Sequence, residues 1–82
     1  YRLEIYHQGE CIEQRESTSV PFPEPLPEEQ IYIEFQNPSY AEEYGPWWVV
    51  RKRRHLLFSN KVGIRTLMLH CEPDPKKGDP GL

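Results

Sequence analysis

The stretch WWVVRKRRHLLF, residues 47–58, decides the fold, because four consecutive basic residues interrupt what is otherwise one apolar run. Alternation places Trp48, Val50, Lys52, Arg54, Leu56 and Phe58 on one face and Trp47, Val49, Arg51, Arg53, His55 and Leu57 on the other. Each face is apolar at its ends and charged in its middle. A hairpin at RKRR is excluded, since the segment lacks Gly, Asn, Asp and Pro and its two arms would be very short. The segment therefore reads as one long, bent strand that projects past the core at its middle or carries a bulge there that turns side chains outward.

Working outward, the same period of two recurs on both sides. Tyr1, Leu3, Ile5 and His7 alternate with Arg2, Glu4, Tyr6 and Gln8, the pattern of a half-buried strand. Gln8, Gly9 and Glu10 supply a turn, because glycine accepts the positive φ of a tight hairpin. Residues 11–17 return antiparallel and are polar, with Ile12 the only strong apolar residue, which predicts an edge position. Residues 30–36, QIYIEFQ, put Ile31, Ile33 and Phe35 on one face and Tyr32 and Glu34 on the other. Residues 59–63 have the composition of a hairpin loop. Ile64–Cys71 then forms a last strand whose Leu67, Leu69 and Cys71 share a face with Arg65, and whose two apolar faces predict a central place.

Between the second and third strands lies STSVPFPEPLPEEQ, residues 17–30, with Pro21, Pro23, Pro25 and Pro27 at every second position. No helix or sheet ladder survives that density, so the segment is a proline-rich connector on an extended polyproline-like course. Phe22 and Leu26 are expected to lie against the domain, and Glu24 to face water. Within FQNPSY, residues 35–40, the Asn-Pro-x-Tyr pattern resembles the short tyrosine sorting signal and phosphotyrosine-binding-domain ligand of receptor tails. Here it stands between two strands, where Asn37 can cap and Pro38 can start a short helical turn over 38–44.

The expected fold is all-β, a small five-stranded, mostly antiparallel barrel or curled sheet of the SH3-like or OB-like kind. Residues 1–72 form a single small domain. Residues 73–82, with prolines, glycines and no apolar side chain before Leu82, form a disordered tail. A chain of 82 residues buries only about 60 to 65% of its unfolded surface, so stability is expected to be modest. No run of 18 apolar residues is present, so no membrane partner is expected and the protein reads as soluble. Two cysteines, Cys11 and Cys71, are too few for a disulfide scaffold; they read as free thiols in a cytoplasmic protein.

Chemistry is sparse. Neither cysteine sits in a glycine-bounded elbow or a paired-cysteine motif, and the pairs Glu28–Glu29 and Glu42–Glu43 lie in connectors where water keeps them ordinary. His7, Cys11, His70 and Cys71 lack a recurrent metal-ligand spacing, and no phosphate-binding glycine loop exists. No enzyme, metal or other cofactor is expected. Binding remains. Trp47, Trp48, Tyr40 and Tyr44 are read as an aromatic surface beside a basic rim of Arg51, Lys52, Arg53 and Arg54, a composition suited to another protein. The alternative puts the four basic residues on the phosphates of a nucleic acid. Residues 1–46 hold ten glutamates against Arg2 and Arg15, a net of −8, which disfavours a polyanion. Residues 47–82 carry eight basic residues against Glu72, Asp74 and Asp79, a net of +5, and the halves together give the chain's −3. The polar edge strand at 11–17 also permits a homodimer by strand addition.

Overall fold

Five strands and one short helix follow one another along the chain: β1 (Arg2–His7), β2 (Glu10–Glu16), β3 (Gln30–Tyr32), α1 (Pro38–Tyr44), β4 (Trp47–Leu56) and β5 (Thr66–Pro73). The computed structural model describes residues 1–57 and 65–74. The strands form one mixed sheet in the order β2-β1-β5-β4-β3, curled into a half-barrel. All pairings are antiparallel except β1 with β5, which run parallel from Arg2↔Thr66 to Tyr6↔His70. The small, curled, all-strand architecture read from the sequence is therefore present, with β2 at an edge and β5 in the centre.

Local sequence accounts for each junction. Gln8 (φ 53°) and Gly9 (φ 83°) are the two central residues of the β1–β2 turn, and two positive φ values give a turn whose twist matches that of the strands. Asn37 caps α1 by accepting from the Ser39 N–H at 3.1 Å, and Pro38 opens the helix where no N–H is needed. Gly45, at φ 78°, ends it. A further turn runs from Leu26 to Glu29, closed by the Glu29 N–H on the Leu26 carbonyl at 3.0 Å, with Glu28 at φ 73°.

The concave face of the sheet holds the core. Ile5, Ile12, Ile33, Trp48, Val50, Leu67, Leu69 and Cys71 are buried, and Leu3, Ile31, Phe35, Tyr40 and Tyr44 pack against them. Trp48 is fully enclosed, with its ring edge-on to His7 (5.2 Å), Phe35 (5.5 Å) and Tyr44 (5.6 Å) and its indole N–H given to the Gly45 carbonyl at 3.0 Å. A buried indole needs such an acceptor, and the helix end supplies it.

The curl is closed by side chains instead of a fifth ladder pairing. After Tyr32 the chain leaves β4 and runs over to β2, where the buried Glu13 carboxylate accepts from Arg15 Nε (2.6 Å), Gln36 N–H (3.1 Å) and Gln36 Nε2 (2.8 Å). Arg15 also donates to the Glu34 carbonyl, and Gln36 Nε2 to the Gln14 carbonyl at 2.8 Å. Burial works to raise the Glu13 pKa, but the bonds from Gln36 and Arg15 outweigh it and hold the carboxyl below its ordinary value.

Several expectations need correction. The third strand pairs over three residues, not seven, because beyond Ile33, whose N–H still reaches the Pro46 carbonyl at 2.8 Å, Glu34 and Gln36 bond to β2. Leu26 is 61% exposed and does not pack on the domain, whereas Phe22 is half-buried as expected, with Pro25 beside it in place of Leu26. The last strand continues through Pro73, and Asp74 is buried with its N–H on the Trp47 carbonyl at 2.9 Å, so the ordered chain extends beyond residue 72. The loop at 59–63 and the rest of the expected tail lie outside the described residues. Cys11 and Cys71 are free thiols.

Candidate interaction surface

The strand β4 changes character at Arg51. Before it, Trp48 and Val50 sit on the concave face and Trp47 and Val49 on the convex one, and the strand is paired on both sides. The register with β5 then shifts between Val50 and Lys52, so that Arg51 is an extra residue, a bulge, which is one of the two readings the sequence pattern allowed. Beyond it Lys52 stands opposite His70, Arg53 opposite Leu69, Arg54 opposite Met68 and His55 opposite Leu67. Residues directly opposite share a face. Arg53 and His55 therefore join the concave side, and Lys52, Arg54 and Leu56 the convex side. Strict alternation from Trp47 had these faces exchanged, and the one-residue insertion is the reason.

The bulge thus splits the basic cluster into neutralised and open parts. Arg51 Nη1 lies 2.5 Å from Glu28 Oε2 and its Nε 2.9 Å from Glu72 Oε2. Arg53 Nη1 donates to the Glu24 carbonyl at 3.3 Å, and His55 Nε2 lies 3.1 Å from Glu24 Oε1, so the proline strap is fastened to β4 from the concave side. Lys52 and Arg54 are exposed, and among the described residues neither has a carboxylate partner. Their effect shows on His70, whose pKa is lowered by burial first and then by the charges of Arg54 and Lys52. The His70 ring stacks on Tyr6 with centroids 5.1 Å apart. Tyr6 in turn donates to Glu4 Oε1 at 2.7 Å, and that bond, with burial, pushes the phenol up to about 12.

The aromatic residues divide in the same way. Trp48 is core, and Tyr40 and Tyr44 are half-buried against it, with Tyr40 beside Phe35 (5.6 Å) and Tyr44 beside His7 (5.2 Å). Those three support the scaffold and are not a free surface. Trp47 is 39% exposed on the convex face and meets Tyr32, 57% exposed, edge-on at 5.1 Å. Tyr32 was absent from the sequence-derived set. Its signal is the β3 alternation that puts Ile31 and Ile33 inside, and only the Tyr32↔Trp47 register joins it to the surface. The convex side of β3 and β4 accordingly runs from the Tyr32–Trp47 pair, past Val49, to Lys52, Arg54 and Leu56.

No group of three or more His, Cys, Asp or Glu among the described residues is placed to hold a metal ion. His7 is buried between Tyr44 and Trp48, whereas His70 lies on the opposite face. No described helix is long and apolar enough to cross a membrane. Comparison with family models, with curated proteins and with solved structures finds no match to this chain.

Proposed function

We propose that the protein is a non-enzymatic interaction module that binds another protein through the convex face of β3 and β4. The observation that carries this reading is the continuity of the exposed Tyr32–Trp47 pair with Lys52 and Arg54, two cations without a carboxylate partner among the described residues, on one strand. Aromatic rings and arginine are the side chains that contribute most to protein interfaces. The engagement of Arg51 and Arg53 within the domain favours this over nucleic acid. Arg51 already faces two carboxylates, and Arg53 is turned to the concave side, where it donates to the Glu24 carbonyl, so a polyanion on the convex face would meet two cations without a carboxylate among the described residues, not four. Two phosphate contacts on a single strand give a log–log salt slope of only about −1.4, too little for firm binding near physiological ionic strength.

The test is a pull-down with the intact chain beside its Trp47→Ala and Lys52→Glu/Arg54→Glu variants, run in parallel with titration of a short single-stranded oligonucleotide. The proposal expects specific protein partners that both variants lose, with no oligonucleotide bound at about 150 mM salt. Sub-micromolar oligonucleotide binding that the charge reversal abolishes would overturn it.

A further inference from the structure

The bulge has a second effect, on the backbone of β4. Through Val50 the strand has neighbours on both sides: β3 pairs with Trp47–Val49, and Val50 exchanges bonds with Glu28 N–H (2.6 Å) and the Glu29 carbonyl (3.0 Å). There the turn at Leu26–Glu29 carries the chain away. From Lys52 to Leu56 the strand keeps β5 on one side, and among the described residues no strand lies on the other. Alternate residues of an antiparallel strand direct N–H and C=O to opposite sides, so this stretch presents an unpaired hydrogen-bonding edge of five residues, about 17 Å long.

We infer that this edge accepts an extended acidic segment of a partner protein as an added strand, an inference that rests on the interaction-module reading above. Backbone pairing of this kind supplies affinity from main-chain bonds and selectivity from alternate side chains. Here the selectivity is electrostatic. Every second residue of the incoming strand stands on the convex face beside Lys52, Arg54 and Leu56, where the two cations have no carboxylate among the described residues and Leu56 is 42% exposed. Cations on a strand edge ordinarily ward off further pairing. They repel a basic strand and leave a neutral one poorly rewarded, but they attract one that carries carboxylates at alternate positions. The concave side is already occupied by Glu24 of the strap on Arg53 and His55, so one face of the added strand is left to set the specificity.

The other strand edge is not equivalent. The edge of β2 is engaged over Glu13–Arg15 by the Glu34 carbonyl and by the N–H and side-chain amide of Gln36, and it is acidic, with Glu10, Glu13 and Glu16. An acidic segment would be repelled there. A second copy of this chain is the competing occupant of the β4 edge, since its own β2 is acidic.

The test uses capped seven-residue peptides of alternating Glu and Val, their Lys–Val counterparts, and two N-methylated Glu–Val forms that block one or the other alternate set of amides. Amide chemical shifts of the labelled intact chain are followed in each titration. The Glu–Val peptide is expected to shift residues 52–56 and the facing β5 amides. The Lys–Val peptide, and the form methylated on the edge-facing set, are expected to bind at least about tenfold more weakly, and the other methylated form unchanged. Charge neutralisation by Lys52→Gln/Arg54→Gln, exposed positions that leave the fold intact, should weaken the Glu–Val peptide by a similar factor.

Binding that is lost on charge neutralisation yet indifferent to both methylation patterns overturns strand addition while leaving the convex-face surface standing. No shift with any peptide at about 1 mM, while Lys52→Glu/Arg54→Glu still loses a captured protein, has the same consequence. Loss of both removes the interaction-module reading as well. Sedimentation that shows self-association abolished by Lys52→Glu/Arg54→Glu reassigns the edge to a second copy and overturns the acidic partner.

Discussion

The two halves of β4 share one strand and one neighbour, β5, yet they have opposite physical lives. Trp47–Val50 is paired on both sides and sends Trp48 and Val50 into the core with no exposure at all. Among the described residues Lys52–Leu56 is paired on one side only, and every residue of it but Arg53 is exposed. A single extra residue separates them. The difference teaches that a small domain can concentrate its stability at one end of a strand and leave the other end free to bind, because register, not composition, decides which residues the core claims.

The largest expected effect tests the scaffold half. Trp48→Ala removes the ring that His7, Phe35 and Tyr44 surround, at a cost of about 3 to 5 kcal/mol, most of what a domain of this size possesses. Arg54→Ala, six residues along, should fall within about 0.5 kcal/mol of the parent. Urea denaturation of the pair checks both; equal losses would break the comparison.

The next effect concerns the seam that holds the chain leaving β3. Glu13→Ala strands the donors of Arg15 and Gln36 and is expected to cost about 1 to 3 kcal/mol. Glu13 also sets an acid limb. Its folded pKa lies below its unfolded one, so the unfolded state takes up more protons as pH falls. The contribution is whole above the ordinary carboxylate value and is lost as pH drops through the folded pKa. Melting at pH 7 and pH 3 should therefore differ less in Glu13→Gln than in the parent.

A smaller effect is expected from deletion of Arg51. The deletion converts the bulge into a regular ladder with Val50 and Lys52 adjacent, and both faces keep their residues. What is lost is one exposed guanidinium facing Glu28 and Glu72, a pair that water screens, so the urea midpoint should fall only slightly. A retained cooperative transition shows that the bulge divides the strand without being needed to fold it; outright unfolding would show the reverse.

The smallest effect is a titration. The imidazole of His70 should titrate below 6.5, since burial, then Arg54 and Lys52, disfavour its charge. Lys52→Gln/Arg54→Gln should move it upward without restoring the ordinary value, because the burial contribution stays. Proton NMR of the ring checks this. An unmoved His70 would mean that the two cations do not sense the convex face.

Much of this was legible in the residues, and the boundary is physical. Gln8-Gly9, Asn37-Pro38 and the alternations of β1 and β5 are local signals, read over a few positions, and each stands where the sequence put it. A bulge in β4 was one of two readings of its charged middle, beside a strand that projects past the core, since both faces are apolar at the ends and charged between. The faces beyond it were not legible, because alternation cannot say which residue is the extra one. Nor could it choose between Trp47 and Trp48, which simply oppose each other; that choice is made by His7, Phe35 and Tyr44, from three distant segments. The Glu13–Gln36 seam joins polar residues 23 positions apart and leaves no periodic trace.

The parallel pairing of β1 with β5 has a consequence for how the protein is made. Arg2 finds Thr66 across sixty-four positions, and the middle of the sheet is built from its most distant strands. At a synthesis rate of about 5 to 20 residues per second, β1 and β2 leave the ribosome as a bare hairpin seconds before β5 exists. The hairpin and β3–β4, with the strap on it, can each form early, but no strand pairing joins the two until β5 slots between β1 and β4. The cooperative step of folding is thus deferred to the arrival of one strand, and a topology so rich in distant contacts folds slowly for its size.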